Sequence, residues 1–279
     1  MPELPEVEIV RRTLGPLVGR RIEAVRVRCD GVIRGLSTEA FSAHLIGHRV
    51  RSLDRRGKYL IIGLAPKTTL LVHLRMTGRL TLAKTGAPIS AHTHVQMALS
   101  GGGELRYEDQ RRFGGFWVLG EGTPPPGLAT LGPEPLSDDW DRARFLRQLR
   151  HRSGPIKAAL LDQRLVAGVG NIYADESLFA AGLHPGTPAQ SLSEEQVGRL
   201  FVAVRDTLRH ALEHHGTTIS DFLDGTGEPG QNAQELKVYG RRGLPCEGCG
   251  APIEKTRLAG RGTHFCPTCQ RPAASAKER

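Results

Sequence analysis

Apolar residues in the opening segment of the chain recur at helical spacing. Val7, Val10 and Leu14 lie three or four residues apart, which predicts a short helix from Pro2 to about Gly15. Pro2 is expected in its first turn, where a helix tolerates proline. Acidic residues in that turn suit the positive end of a helix.

The pattern changes between residues 20 and 118. Short apolar or β-branched runs follow one another, separated by glycine or polar turns, at 22–27, 59–64 and 70–74 among others. This spacing predicts an antiparallel sandwich or flattened barrel. Proline- and glycine-rich residues at 122–127 and 132–135 then indicate the end of this domain and a linker.

The second half of the chain has helical periodicity. Helices are expected at 138–151 and 154–166, and Ser193 and Gln196 have the spacing of a capping box. Behind the box runs an apolar stripe, assigned to the core, of Val197, Leu200, Phe201, Val204, Leu208 and Leu212. Glycines return between 217 and 242, which predicts a mobile loop.

Length and composition are those of a globular protein with two domains. The chain has 279 residues, of which 39% are hydrophobic and 24% charged. We find no run of about 18 apolar residues, and the acidic start lacks a signal-peptide core. These features predict no membrane span and a cytoplasmic location.

The charge balance favours a polyanionic partner. Lys and Arg total 38 against 29 Asp and Glu, a formal net charge of +9. Nucleic acid is the commonest such partner, although a basic balance alone does not establish it.

Four of the five cysteines have the spacing of a metal site. Cys246 and Cys249 form one Cys-x2-Cys pair, and Cys266 and Cys269 form another after 16 residues. Two such pairs predict four thiolates around one Zn²⁺, with a β-hairpin between them. Because four cysteines leave no position for water, the zinc is expected to be structural.

Several motifs occur together, in order, along the whole chain. They are Pro-Glu-Leu-Pro-Glu at 2–6, Arg-Arg-Gly-Lys at 55–58, Val-Gly-Asn-Ile-Tyr-Ala at 169–174 and the four-cysteine module. In this combination the chain closely resembles the bacterial formamidopyrimidine-DNA glycosylase family.

The resemblance implies a catalytic site made of Pro2, Glu3, Lys58 and Arg261. Once Met1 is removed, the secondary amine of Pro2 would attack the sugar, and Glu3 would shuttle protons. Lys58 would contact the DNA backbone and damaged base, and Arg261 would clasp the phosphates flanking the lesion.

Further DNA contacts are implied at Glu6, His73, Lys157, Asn171 and Tyr239. Glu6 borders the active site in the family, and the others match positions that contact phosphate. Asn171 follows a Gly-x-Gly run, so it is also expected to cap a helix whose backbone amides face a phosphate.

Three residues match the family's set that fills the gap left by an everted base, namely Met76, Arg111 and Phe113. Phe can wedge between base pairs, Arg can hydrogen-bond the orphaned partner and Met can fill the void.

The expected architecture is mixed α and β. It has an N-terminal β-sandwich with flanking helices (1–133) and a helix–two-turns–helix domain (137–242) with a lesion-capping loop (217–230). A zinc finger (243–271) follows. The expected partner is double-stranded damaged DNA, bound in the bacterial nucleoid by a monomer with no small-molecule cofactor.

The resemblance implies a bifunctional glycosylase and lyase for apurinic or apyrimidinic sites that removes 8-oxoguanine and formamidopyrimidines. Two alternatives remain at this point. The endonuclease VIII branch shares the Pro2 chemistry but prefers oxidised pyrimidines; its typical Pro-Glu-Gly-Pro start differs from residues 2–5 here. A non-catalytic DNA-binding protein would bind without cutting the strand.

Overall fold

The computed structural model describes residues 1–120 and 127–272. Most of the predicted linker at 122–127 therefore lies outside the described residues. The chain forms two units: Met1–Ala129 with Leu212–Ala233, and Thr130–Ala211 with the residues from Gln234 onward. The boundaries at 1–133, 137–242 and 243–271 stay predictions.

Two antiparallel four-stranded sheets make up most of the first unit. One has the order β1 (Ile22–Val27), β6 (Thr93–Leu99), β7 (Glu104–Asp109) and β5 (Gly78–Ala83). The other has the order β2 (Arg49–Arg56), β3 (Tyr59–Ala65), β4 (Thr68–His73) and β8 (Gly115–Leu119).

The two sheets face each other across one apolar core. Strand β3 buries every second residue, as expected of a strand with one face in a core. Tyr107 of β7 and Phe116 of β8 meet edge to face, with ring centroids 4.9 Å apart. The predicted sandwich is confirmed.

Helices α1 (Leu4–Thr13) and α2 (Thr38–Leu45) flank the sandwich. The prediction that Pro2 starts the first helix is wrong. Glu3 is the N-cap and Pro5 occupies the first turn, so Pro2 precedes the helix. This frees the backbone at Pro2 from the geometry of a helix.

Glu8 joins α1 to the second sheet. Its carboxylate accepts from Arg11 Nη2 at 2.8 Å and pairs with Arg55 Nε of β2 at 3.3 Å. Burial raises the pKa of Glu8, but Arg11, Arg12 and Arg55 outweigh it and lower the pKa to about 2. This ion pair fixes α1, and with it the N-terminal segment, on the sandwich.

In the described part of the second half, four α-helices lie as predicted but with different bounds: α3 (Arg142–Arg150), α4 (Ile156–Leu161), α5 (Asn171–Ala180) and α6 (Glu194–Glu213). Helix α3 starts late because Asp141 caps it, accepting from Arg144 N at 2.7 Å. Helix α4 ends early because the Asp162 side chain accepts from Arg164 N at 3.0 Å and so stabilises a turn.

The capping box before α6 is confirmed. Ser193 N donates to Gln196 Oε1 at 2.8 Å, and Gln196 N donates to Ser193 Oγ at 3.2 Å. A hairpin of β9 (Glu254–Leu258) and β10 (Arg261–Phe265) follows, turned by Ala259 and Gly260, which both have positive φ. Among the described residues, no helix is both long and apolar enough to cross a membrane.

The first part of the glycine-rich stretch predicted to be mobile, residues 217–233, belongs to the first unit and is held there by hydrogen bonds to α1. Thr217 N donates to Glu6 Oε1 at 2.7 Å, and Gly225 N donates to Thr13 Oγ1 at 2.8 Å. A Cβ on Gly230 would lie 2.2 Å from Gly216 O. These glycines allow close packing of the backbone, so their number does not by itself indicate mobility.

Candidate active site and nucleic-acid contacts

The N-terminal segment places Pro2 and Glu3 together in the first unit. Both residues are buried, beside an exposed Met1. Glu6 Oε2 accepts from Glu3 N at 2.7 Å, and Glu6 Oε1 accepts from Thr217 N. One carboxylate therefore fixes both the backbone beside Pro2 and the base of the loop predicted to cap the lesion.

Lys58 and His73 lie close together on the second sheet. Lys58 follows the turn at Gly57, whose φ of +55 favours glycine, and Tyr59 pairs with His73 in the register of β3 and β4. Burial, with the charges of Arg75 and Lys58, lowers the pKa of His73 to about 3. His73 is therefore neutral at neutral pH.

The hydrogen bonds of His73 determine its tautomer. Nδ1 accepts from Arg75 N at 3.0 Å, so the ring proton of neutral His73 lies on Nε2. The imidazole thus offers one donor beside the ammonium of Lys58, which suits an anionic group such as a phosphate.

The predicted void-filling residues occupy two neighbouring loops of the first unit. Met76 lies in the turn between β4 and β5, while Arg111 and Phe113 lie in the loop between β7 and β8. Phe113 is 51% exposed, and the Arg111 guanidinium carbon stands 4.5 Å from the centroid of its ring. An exposed Phe on an ordered loop is unusual for a core residue and suits a wedge.

Lys157 lies in the interior of the second unit. It is 0% exposed, and Nζ contacts Asp175 Oδ1 at 2.7 Å, Gly262 O at 2.8 Å and Thr263 Oγ1 at 2.8 Å. Through these contacts Lys157 binds the hairpin strand β10. Its contact with a DNA phosphate stays a prediction.

Asn171 has a similar structural contact. The predicted N-cap is wrong, since α5 begins at Asn171 and Gly170 is the N-cap. The Asn171 Nδ2 group donates to Gly262 O at 3.0 Å. Two helices therefore hold the same carbonyl of β10, next to Arg261.

Arg261 is the first residue of β10 and is exposed, whereas the last three residues of that strand are buried.

Tyr239 is half-buried, and the centroid of its ring lies 5.0 Å from that of His264. Its N–H donates to Glu176 Oε1 at 2.8 Å. Burial raises the pKa of Glu176, although backbone N–H groups oppose the shift. Arg261 and Tyr239 are thus placed by buried polar contacts within one unit.

The four predicted cysteines converge at the open end of the hairpin. All four sulfur atoms lie within 4.8 Å of one another, and Cys249 Sγ and Cys266 Sγ are 3.4 Å apart. Tetrahedral Zn²⁺ with bonds of about 2.3 Å needs sulfur atoms about 3.8 Å apart. The residues fit the ion, and the module is a structural zinc site.

Three buried acids bind predicted contact residues or their neighbours, but we did not predict them from the sequence: Asp109, Asp175 and Glu176. Asp175 and Glu176 interrupt a helix that is otherwise largely apolar, which was a usable signal because a buried charge needs a partner. Asp109 ends β7 immediately before the void-filling loop, where its carboxyl could have been expected to bind turn amides.

Comparisons with known proteins agree over nearly the whole chain. Residues 1–116 match the formamidopyrimidine-DNA glycosylase N-terminal domain, residues 131–223 its H2TH domain and residues 243–272 the zinc finger found in FPG and IleRS. Formamidopyrimidine-DNA glycosylase of Symbiobacterium thermophilum is 51% identical over 97% of this chain and 89% of its own length. That of Geobacillus kaustophilus is 49% identical over 97% and 100%.

Solved structures agree as well. The Lactococcus lactis Fpg bound to DNA with an abasic site superposes with a TM-score of 0.91 at 38% identity, covering 96% of this chain and 99% of that chain. The MutM (Fpg) protein of Thermus thermophilus gives 0.88 at 45% identity, covering 98% and 100%. The chain belongs to the formamidopyrimidine-DNA glycosylase family.

Proposed function

We propose that the chain removes oxidised purine bases, 8-oxoguanine and formamidopyrimidines, from duplex DNA through the amine of Pro2. It is a base-excision repair enzyme with glycosylase and lyase activities. The observation that carries the assignment of the nucleophile is the placement of Pro2, buried beside Glu3 at the amino end of α1. Support for the substrate comes from a Lactococcus lactis relative in complex with Fapy-dG DNA.

The amine is suited to this chemistry after Met1 is removed. An α-amino group has an ordinary pKa near about 7.7, so a useful fraction is neutral at pH 7. Its lone pair forms a bond to C1′ of the sugar, and the base departs with the electrons of the glycosidic bond. The amine then loses its proton, and O4′ gains one as the bond between C1′ and O4′ breaks, which opens the sugar ring and leaves a C1′=N iminium (Schiff base).

The second half of the reaction follows from the cationic Schiff base. The iminium draws electrons, so the C2′ proton becomes acidic and the bond between C3′ and its phosphate oxygen breaks by β-elimination; δ-elimination then releases the other phosphate. Glu3, which follows Pro2 in the chain and is buried, is proposed to carry these protons.

Lys58 and His73 are proposed to hold a phosphate of the damaged strand. Lys58 supplies the charge, and neutral His73 donates through Nε2, as inferred from the bond to Arg75 N. Arg261 is proposed to clasp phosphates beside the lesion, and Tyr239 to add a further contact. Lys157 and Asn171 act on DNA through the β10 strand that they hold.

Met76, Arg111 and Phe113 are proposed to fill the void left by the everted base, and residues 217–230 to cover that base. We further propose that the protein acts as a monomer without a small-molecule cofactor, within the bacterial nucleoid. Its DNA substrate supports that location.

Borohydride trapping tests the nucleophile and the substrate class together. The protein, processed to Pro2, is incubated with duplex DNA carrying one 8-oxoguanine opposite cytosine, and the adduct is located by peptide mass analysis. We expect an adduct at Pro2. A variant retaining an extra residue before Pro2 should give none, while the same extra residue at the C-terminus should have no effect.

Other outcomes favour the alternatives. An adduct formed only with DNA containing an oxidised pyrimidine would move the chain to the endonuclease VIII preference. Tight binding of both DNAs without any adduct would refute the Pro2 mechanism and support a non-catalytic role.

A further inference from the structure

We propose that Thr77 and Asp109 are positioning residues that join the two void-filling loops into one preorganised unit. This inference rests on the function proposed above for Met76, Arg111 and Phe113. It adds two side chains that touch neither the damaged base nor the sugar and act through those three.

The Thr77 hydroxyl contacts both loops. Thr77 follows Met76 directly, and its Oγ1 donates to Asp109 Oδ1. The same oxygen accepts from Arg111 N at 3.2 Å, and Arg111 N also approaches Asp109 Oδ1 at 3.2 Å. One hydroxyl therefore links the residue after Met76 to the backbone of Arg111.

The second carboxylate oxygen fixes the far end of the loop. Asp109 Oδ2 accepts from Gly114 N at 2.9 Å and from Tyr107 OH at 3.0 Å. A Cβ on Gly114 would lie 2.1 Å from Tyr107 OH and 2.6 Å from His73 O. The loop between β7 and β8 is thus clamped at both ends by one side chain.

Because Asp109 is buried, its hydrogen bonds fix the positions of the loop atoms that donate to it. Asp109 is 0% exposed and, as a carboxylate, can only accept, so each of the four donors has a defined place. Phe113, by contrast, is 51% exposed, and no core packing holds it. The orientation of the functional side chains therefore depends on how their backbone is anchored.

Backbone strain at the same place points to the same role. Arg75, beside Met76, has a φ of 54°, and Arg112, between Arg111 and Phe113, has a φ of 56°. A non-glycine residue in the left-handed region persists where surrounding contacts hold it, and such strain clusters at functional sites. The bonds to Thr77 and Asp109 join the two loops, beside the bond of Arg75 N to His73 Nδ1 in one loop and that of Arg34 Nη2 to Gly114 O in the other.

The proposed reaction needs such a link. The everted base leaves one gap, which Met76 and Phe113 must fill while Arg111 meets the orphaned base. The two loops run between different strand pairs, so without a link each would have to be ordered separately on DNA. Ordering them beforehand reduces that cost and sharpens recognition of the orphaned base.

The test uses single-turnover excision of 8-oxoguanine placed opposite cytosine or opposite adenine. Thr77→Val removes the hydroxyl with little change in shape, and Thr77→Ser keeps it. Thr81→Val, on the strand β5 that begins directly after Thr77, is the matched control. We expect Thr77→Val to lower excision opposite cytosine about tenfold, the effect of losing one partly buried hydrogen bond to a carboxylate. The ratio of cytosine to adenine rates should fall with it, while Thr77→Ser and Thr81→Val retain both values.

The ratio of cytosine to adenine rates distinguishes a loss of loop positioning from a loss of overall stability. A protein that is only less stable would show the same fractional decrease in both excision rates. Suppose that Arg111→Ala lowers the ratio of cytosine to adenine rates, but that Thr77→Val has the same rates and ratio as Thr81→Val. This result would overturn the inference and leave the proposed function standing. An unchanged ratio in Arg111→Ala would refute the void-filling role itself, and the inference with it. If Thr77→Val does not fold, Thr77→Ala replaces it with the same expectations.

Discussion

Two exposed arginines proposed to meet DNA, Arg111 and Arg261, are each placed by a buried carboxylate, but the two carboxylates are bound differently. Asp109 in the first unit accepts from hydroxyl groups and backbone N–H groups. Asp175 in the second unit pairs with the ammonium of Lys157 at 2.7 Å and accepts from His264 N at 2.9 Å.

This difference determines how much stability each region loses when its buried acid is substituted. A hydrogen bond from an uncharged donor to a carboxylate contributes about 1.5–3 kcal/mol, whereas breaking a buried ion pair by removing one partner costs about 3–5 kcal/mol. The hairpin with Arg261 also depends on zinc, while the loops with Met76 and Arg111 depend on the core of the sandwich beneath them. The hairpin should therefore be the more easily disrupted of the two.

Zinc removal gives the largest expected difference between the two regions. Structural zinc contributes about 10–16 kcal/mol to the folding of small zinc modules, so chelation should unfold the hairpin and release Arg261. DNA affinity, measured by binding titration at fixed salt, should fall, while the sandwich keeps its thermal transition. Cys29→Ser, outside the cluster, should retain the metal. Unchanged affinity after complete zinc release would contradict the assigned role of Arg261.

Matched substitutions of the two buried acids come next. Asp175→Asn strands the Lys157 ammonium and should lower the free energy of unfolding by about 3–5 kcal/mol. Asp109→Asn weakens hydrogen bonds from uncharged donors only and should lower it by about 1.5–3 kcal/mol. Asp138→Asn, at an exposed position, is the control. Urea unfolding measures all three; equal losses for Asp109 and Asp175 would remove the distinction between the regions.

The smallest expected effect, and the one that depends on pH, is at Glu8, a partly buried carboxylate with arginine partners. Its folded pKa, about 2, lies below the ordinary value of 4.5, so its contribution is present above pH 4.5 and is lost as the pH falls through 2. After discounting for solvent, Glu8→Gln should cost about 1–2 kcal/mol at pH 7. The difference in free energy of unfolding between wild type and Glu8→Gln, measured by urea unfolding, should shrink as the pH is lowered from 7. Glu39→Gln, at an exposed position, should differ little from wild type at neutral or acidic pH. A gap independent of pH would mean that packing, rather than charge, explains the loss.

The sequence by itself determined the two-part architecture, the strand segments at 22–27, 59–64 and 70–74, the capping box at Ser193 and the zinc module. These follow from signals carried by residues close together in the chain: side-chain periodicity, turn residues and cysteine spacing. The motifs at 2–6, 55–58 and 169–174, together with the four-cysteine module, also sufficed to indicate the family.

Tertiary structure alone decided what the polar residues contact. It directed the Lys157 ammonium inward to Asp175, turned the Asn171 amide toward Gly262 and placed Thr77 beside Asp109. Each of these pairs joins residues well separated along the chain, so no local pattern records them. A buried polar group must find its partner wherever the fold brings one within hydrogen-bond distance, and only the folded chain defines that place.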